Sequence, residues 1–246
     1  MLSYIYSFDT DIGLVRKRNE DYSYATVNRH GDILLTLLDG MGGHVNGQLA
    51  SRTTLNLLLN EFKDREKPFA SISTMKKWLT NCIKDINKKI YALSSMPENK
   101  NMGTTLVCVL ISASKVVYTS IGDSRCYICN NNQLTQITED DSVCYDLYKK
   151  GEITKEEINT HPKRNEITKA IGLIPNLKFK VHILKEKFTR ILLCSDGLYN
   201  KLNDDEIKKI LYKKIDIKIK VSELIESANA KGGEDNIGVL ICEVIK

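Results

Sequence analysis

The stretch ILLTLLDGMGGH, residues 33 to 44, limits the possible folds more than any other part of the chain. A strand with one wet face alternates apolar and polar residues. This run is apolar at nearly every position, so both of its faces need cover. It ends at Asp39 and continues into glycines at 40, 42 and 43. The construction returns twice: VVYTSIGD closes on Asp123 and RILLCSD on Asp196, each beside a glycine. GGEDNIGVLICEV inverts it, with Asp235 just ahead of an apolar run, and RKRNED sets Arg16, Glu20 and Asp21 before the segment YSYATV. A single aspartate at a strand end is ordinary turn chemistry. Several that converge are costly, since two carboxylates ~4 Å apart repel by about 4 kcal/mol at an effective dielectric of ~20. Hard divalent cations with oxygen ligands remove that cost. No His or Cys cluster at ligand spacing accompanies the acids, which favours magnesium or manganese over zinc.

At 246 residues, with 42% hydrophobic and 27% charged residues, the chain is expected to form a single domain over 1–246. The opening MLSYIYSFDTDIG has no basic leader, and no run approaches the ~18 apolar residues of a membrane span. The expected compartment is therefore the cytoplasm, with no membrane partner. Seven scattered cysteines, mostly inside apolar runs, read as small buried hydrophobes in a reducing compartment. Cys126 and Cys129 form a CxxC, but on a strand their side chains would face opposite ways, and no second ligand pair accompanies them. The net charge of +5 comes from lysines spread over several segments without interleaved aromatics, which argues against a nucleic-acid partner.

Periodicity predicts strands at 4–9, 22–28, 33–38, 104–111, 115–121, 125–129, 180–185, 190–194 and 237–244. It predicts helices at 46–62, 71–93, 204–213 and 220–230. Asn203 and Glu206 have capping-box spacing ahead of Ile207. Few strict βαβ alternations occur, so the expected class is α+β: mostly antiparallel sheets with helices packed outside. Residues 138–176 are polar and irregular, an excursion with short helices.

The motifs RKRNED, DGMGGH, MGTT, GDSR, HPKRNEITKAIG, CSDGL and GGEDN stand in the order found in the protein phosphatase 2C family of metal-dependent serine/threonine phosphatases. The chain resembles the compact bacterial branch of that family from about residue 9 to 244. The resemblance implies a four-layer α-β-β-α sandwich, two antiparallel sheets flanked by helices. It also implies two tightly bound Mn or Mg ions and a weaker third. In that pattern Asp39 bridges the two metals, Gly40 lends a backbone carbonyl, and Asp196 and Asp235 are direct ligands. Glu20 and Asp21 match acids that hold metal-bound waters, Arg16 matches the phosphate-binding arginine, and Asp123 matches a ligand of the third metal. The implied reaction is hydrolysis of phosphoserine and phosphothreonine in phosphoproteins by a metal-bridging hydroxide, without a covalent intermediate. A cognate serine/threonine kinase is the implied antagonist, and a monomer the implied state.

His44 is the candidate general acid, with packing against its loop as the alternative. Gln48 stands where relatives usually have glutamate, and Asp141 where many have histidine. The bland reading of Asp123 is a pair with Arg125 or a hairpin turn. FDTDIG only superficially resembles the Asp-x-Asp nucleophile of haloacid-dehalogenase phosphatases, and no cysteine has an arginine six positions on. The remaining alternative is a catalytically silent phosphoprotein-binding module on the same fold.

Overall fold

In the computed structural model, which describes residues 3–42 and 46–245, strands β1 (Ser3–Asp11), β2 (Asp21–Val27) and β3 (Ile33–Met41) precede helices α1 (Asn46–Lys63) and α2 (Ile72–Ser94). Strands β4 (Gly103–Thr104), β5 (Leu106–Ser112), β6 (Lys115–Ile121), β7 (Arg125–Asn130) and β8 (Gln133–Gln136) follow. Helix α3 (Val143–Lys149) opens the excursion, which ends at β9 (His182–Leu184). Strand β10 (Arg190–Cys194), helices α4 (Asp196–Tyr199), α5 (Asp204–Leu211) and α6 (Ile217–Ala230), and β11 (Ile237–Ile245) complete the order. No helix among the described residues is long and apolar enough to cross a membrane.

All strand pairs are antiparallel. One sheet runs β1-β11-β10-β7-β8; the other runs β2-β3-β5-β6-β9, with β4 beside β3. Leu35 and Leu37 of β3 pack with Val107, Cys126, Leu193 and Leu240 between the sheets. The alternate residues Leu34 and Leu38 pack with Leu58, Leu79 and Ile83 of α1 and α2. Helices α5 and α6 cover the other sheet through Ile207, Leu211, Val221 and Leu224, against Leu192 and Val239. This is the expected α-β-β-α sandwich, and it explains why β3 is apolar throughout: each face meets a core. Cys126 lies between the sheets and Cys129 on the helix side, so the CxxC is split as the strand period requires. All seven cysteines are buried and unpaired.

The boundaries differ from the sequence reading at a few places, each with a cause. The predicted strand at 104–111 breaks at Thr105, whose N–H donates to the Asp39 carbonyl instead of continuing the ladder. Strand β8 was not expected, because its QLTQ carries little apolar signal. It is folded back by Asn131 and Asn132, both at positive φ (47° and 59°), the geometry of a tight hairpin turn made without glycine. Helix α6 begins three residues early, where the Asp216 side chain accepts the Lys218 N–H. The capping box of α5 is formed in both directions between Asn203 and Glu206.

The excursion is pinned to α2 by Asn87, which is only 1% exposed. Its side chain donates to the carbonyls of Ile174 (2.9 Å) and Pro175 (3.2 Å) and accepts the Gly172 N–H (2.9 Å). Asn87→Ala strands these buried groups at an expected cost of about 3 kcal/mol. Thermal unfolding should then shift down by roughly 6–12 °C. An unchanged melting curve would mean that water replaces the amide.

Candidate active site

The period of two that sends Leu35 and Leu37 between the sheets carries Asp39 to the same side at the strand's end. Strand β2 runs alongside with Asp21 directly opposite Asp39. From the other sheet, β10 delivers Asp196 at the start of α4, and the turn before β11 delivers Asp235. These residues converge on a cavity of about 290 Å³ lined by Arg16, Glu20, Asp39, Gly40, Asp123, Asp196 and Asp235. Asp21 lies beneath it, 2% exposed. Every site residue expected from the sequence is thus at or under one cavity, apart from His44, which lies outside the described residues.

The backbone holds Asp39 firmly. Its N–H donates to Thr105 Oγ1 (2.9 Å), and its carbonyl accepts both the Thr104 hydroxyl (2.9 Å) and the Thr105 N–H (2.8 Å). Ser124 joins Thr105 through a hydroxyl pair at 2.8 Å. The glycines act by close approach. A Cβ on Gly40 would lie 2.3 Å from the Gly47 carbonyl oxygen, and one on Gly197 would lie 2.0 Å from that of Asn236. The repeated Asp-Gly is therefore not a pair of hairpin turns: each glycine lets the chain carrying the acid press against another backbone.

Asn236 organises the mouth. Its side-chain amide donates to the carbonyls of Ile12 (2.9 Å) and Arg18 (2.8 Å), while its oxygen accepts the Glu20 N–H (2.9 Å). Arg16 Nη2 donates to Asp235 Oδ2 (2.7 Å), with the arginine side chain 51% exposed. Asp123 is buried, and Arg125 pairs with Asp140 (2.7 Å) and stacks on Tyr199. The bland Asp123–Arg125 pair does not form. Thr104, Thr105, Ser124 and Asn236 were missed as site residues. MGTT, GDSR and GGEDN marked their segments, but nothing in those strings says which hydrogen bonds these side chains make around the acids.

Charge crowding dominates the electrostatics. Burial, then the charges of Asp21, Asp196 and Asp123, hold the Asp39 carboxyl well above the usual range. Burial, then Asp123 and Asp235, do the same to Asp196. Burial raises Asp21 to about 7 against a hydrogen bond from Ser195 (2.6 Å), and burial raises Asp123 to about 6. Glu20 Oε1 and Asp21 Oδ1 are buried with no hydrogen-bond partner. Among the described residues no three His, Cys, Asp or Glu side chains already close on one point. The donors ring the cavity, and Arg16 engages Asp235. An all-oxygen set of mutually repelling carboxylates with unpartnered buried oxygens fits hard divalent cations such as Mg²⁺ or Mn²⁺.

Two face-to-face antiparallel sheets thus carry helices on both outer faces and bring their acids together at one end. The protein phosphatase 2C family pattern matches residues 15–234. The serine/threonine phosphatase stp of Listeria welshimeri is 38% identical over 239 residues, covering 96% of this chain and 94% of its own. The serine/threonine phosphatase structure from S. agalactiae superposes with a TM-score of 0.91 at 35% identity, covering 99% of this chain and 100% of that one. The catalytic domain of the phosphatase PstP, solved in complex with two manganese ions, gives 0.87 at 32% identity with full coverage of both chains. The chain belongs to the protein phosphatase 2C family.

A carboxyl whose pKa is raised by folding binds its proton more tightly folded than unfolded, so ionising it opposes folding. With cations removed by chelator, stability should therefore fall as pH rises from about 4 towards the raised value of about 7 at Asp21. The expected loss is on the order of 4 kcal/mol. Millimolar manganese should reverse it at pH 7. Denaturant unfolding across this range with and without manganese is the check; a flat profile in chelator would contradict charge crowding.

Proposed function

We propose that this chain hydrolyses phosphoserine and phosphothreonine in phosphoproteins, using divalent cations held by Asp39, Asp196 and Asp235. The observation that carries the reading is the convergence of these three acids, from two sheets, on one cavity with Arg16 at its edge. Two bound cations would supply an acidified water as nucleophile and positive charge against the phosphoryl oxygens. The chain's own residues do the positioning. Asp39, fixed by Thr104 and Thr105, would hold both cations, with Gly40 offering its carbonyl. Glu20 and Asp21, each with an unpartnered oxygen, would hold water around them. Arg16 is exposed enough to turn its guanidinium to an incoming phosphate, where a planar fork binds two oxygens. His44 remains the candidate proton donor to the leaving alcohol. Asp123 and Asp196 together would hold the weaker third cation.

We read residues 1–246 as one catalytic domain, acting as a monomer in the cytoplasm opposite a cognate kinase. The silent-module alternative fits less well, because a domain that only binds has no need to hold so many ionised carboxylates together.

Hydrolysis of p-nitrophenyl phosphate should require manganese or magnesium and stop in excess chelator. Asp39→Asn should remove at least ~10³-fold of the activity while circular dichroism stays unchanged, since one bridging charge is lost. Full turnover in chelator would sink the reading. A finer test addresses Asp123. Asp123→Ala should retain two tight cations by calorimetry and a normal melting curve, yet lower kcat by roughly 10-fold or more with little change in KM. Unimpaired turnover over the whole manganese range would take Asp123 out of the site.

A further inference from the structure

A second cavity, of about 700 Å³, shares no lining residue with the acid-lined one. One wall is the segment LKFKVHIL leading through β9, the edge strand of its sheet. Leu177, Phe179 and Val181 turn into the core beside α2, so Lys178, Lys180 and His182 project outward at every second position, about 7 Å apart. The His182 ring stacks on Tyr118 of the neighbouring strand, centroids 5.3 Å apart, which braces this wall.

The opposite wall carries two ion pairs, Lys149–Glu139 (2.7 Å) and Lys169–Asp141 (2.5 Å). The carboxylates there are already matched. Among the described residues Lys178 and Lys180 have no carboxylate within ion-pair distance, and they face the cavity. Lysines beside an edge strand often serve only to block strand pairing. That role needs lysines standing free in solvent. It does not need a facing wall across a cavity, and here one is present.

We infer that this cavity is a second anion site that takes the phosphate dianion, free or as a phosphomonoester. Two uncompensated ammonium groups match a group carrying about −1.5 to −2 at neutral pH. The choice of phosphate over other dianions rests on the hydrolase reading above, in which phosphate is product and phosphomonoester is substrate. The site also communicates with the first. Lys169 holds Asp141, whose other oxygen accepts the Gly122 N–H (3.2 Å), and Gly122 directly precedes Asp123. Ile167, two residues before Lys169, lines the acid cavity. An anion drawing on Lys169 therefore pulls at the partner of the loop that carries Asp123.

The test uses the full chain in excess chelator, so that cation-dependent phosphate binding at the acid cavity is absent. Inorganic phosphate is titrated by calorimetry, with amide NMR shifts followed at Lys178–His182, Gly122 and Asp141. Saturable binding with shifts at these amides is expected. Lys178→Ala combined with Lys180→Ala should weaken it about tenfold or more, and arginine at both positions should restore it. Both lysines are exposed, so the variants should fold normally. A phosphoserine peptide run in parallel distinguishes the sources: tighter binding than free phosphate assigns the site to substrate, equal or weaker binding to free phosphate. No saturable binding, affinity unchanged in the alanine pair, or equal binding of sulfate and chloride would overturn the site. Phosphate binding without any esterase activity would instead overturn the hydrolase reading and leave the site standing.

Discussion

Mutual repulsion among acids at one end of the sandwich is the constraint on which the rest of the structure depends. On top of burial, Asp21, Asp196 and Asp123 raise the Asp39 carboxyl, and Asp123 and Asp235 raise that of Asp196. Left to themselves, groups with such repulsion would rotate apart or remain protonated. What prevents this is where they sit. Each is placed at or next to the end of a strand whose body is locked between a second sheet and a helical layer. The apolar runs are the anchors of the acids.

Anchoring alone would leave the strand ends to splay. Direct contact between backbones closes that freedom. Gly40 meets Gly47 at the start of α1, and Gly197 meets Asn236, both at separations no side chain would permit. The first contact brings the N-terminal turn of α1 against Glu20, whose carbonyl accepts the Gly40 N–H (3.1 Å) and the Ser51 hydroxyl (2.6 Å). The second fixes Asp196 relative to Asp235 across two elements distant in sequence. Asn236 then ties the Arg16 loop to the same point, so Arg16 and the clustered acids share one frame.

Most of this was legible in the sequence because charge and hydrophobicity leave strong local signals. An apolar run ending in Asp-Gly is visible in a window of ten residues, and helix α2 announces itself through Met75, Leu79, Ile83, Ile86 and Ile90. Features defined by a distant partner were not. Thr105 reads as strand, yet its hydroxyl and N–H are committed to Asp39, 66 residues away along the chain. Asn87 reads as one more polar position on α2, yet it is the buried tie to the excursion. Strand β8 was invisible because its four residues carry almost no apolar period and its turn uses asparagines in the left-handed region. Pattern reports which face of an element is wet. It does not report which polar groups are satisfied by which.

The two departures from the family pattern show that distinction in the same site. At position 48 it is the backbone N–H of Gln48, near the N-terminus of α1, that works against the burial raising the Glu20 carboxyl, so the side chain there need not be acidic. Position 141 is different, because the side chain itself acts. Asp141 accepts the Gly122 N–H with one oxygen and Lys169 with the other, while its main chain bonds to Gly122 and Thr168. A histidine could replace one of these contacts but not pair with a lysine. The aspartate therefore turns the base of the excursion into a charged clamp between the Asp123 loop and segment 167–169. The clamp stands between the acid cavity, which Asp123 and Ile167 line, and the lysine cavity, which Asp141 and Lys169 line. Asp141 thus sets how the excursion is fastened, and the acid-lined and lysine-lined cavities lie on either side of that fastening.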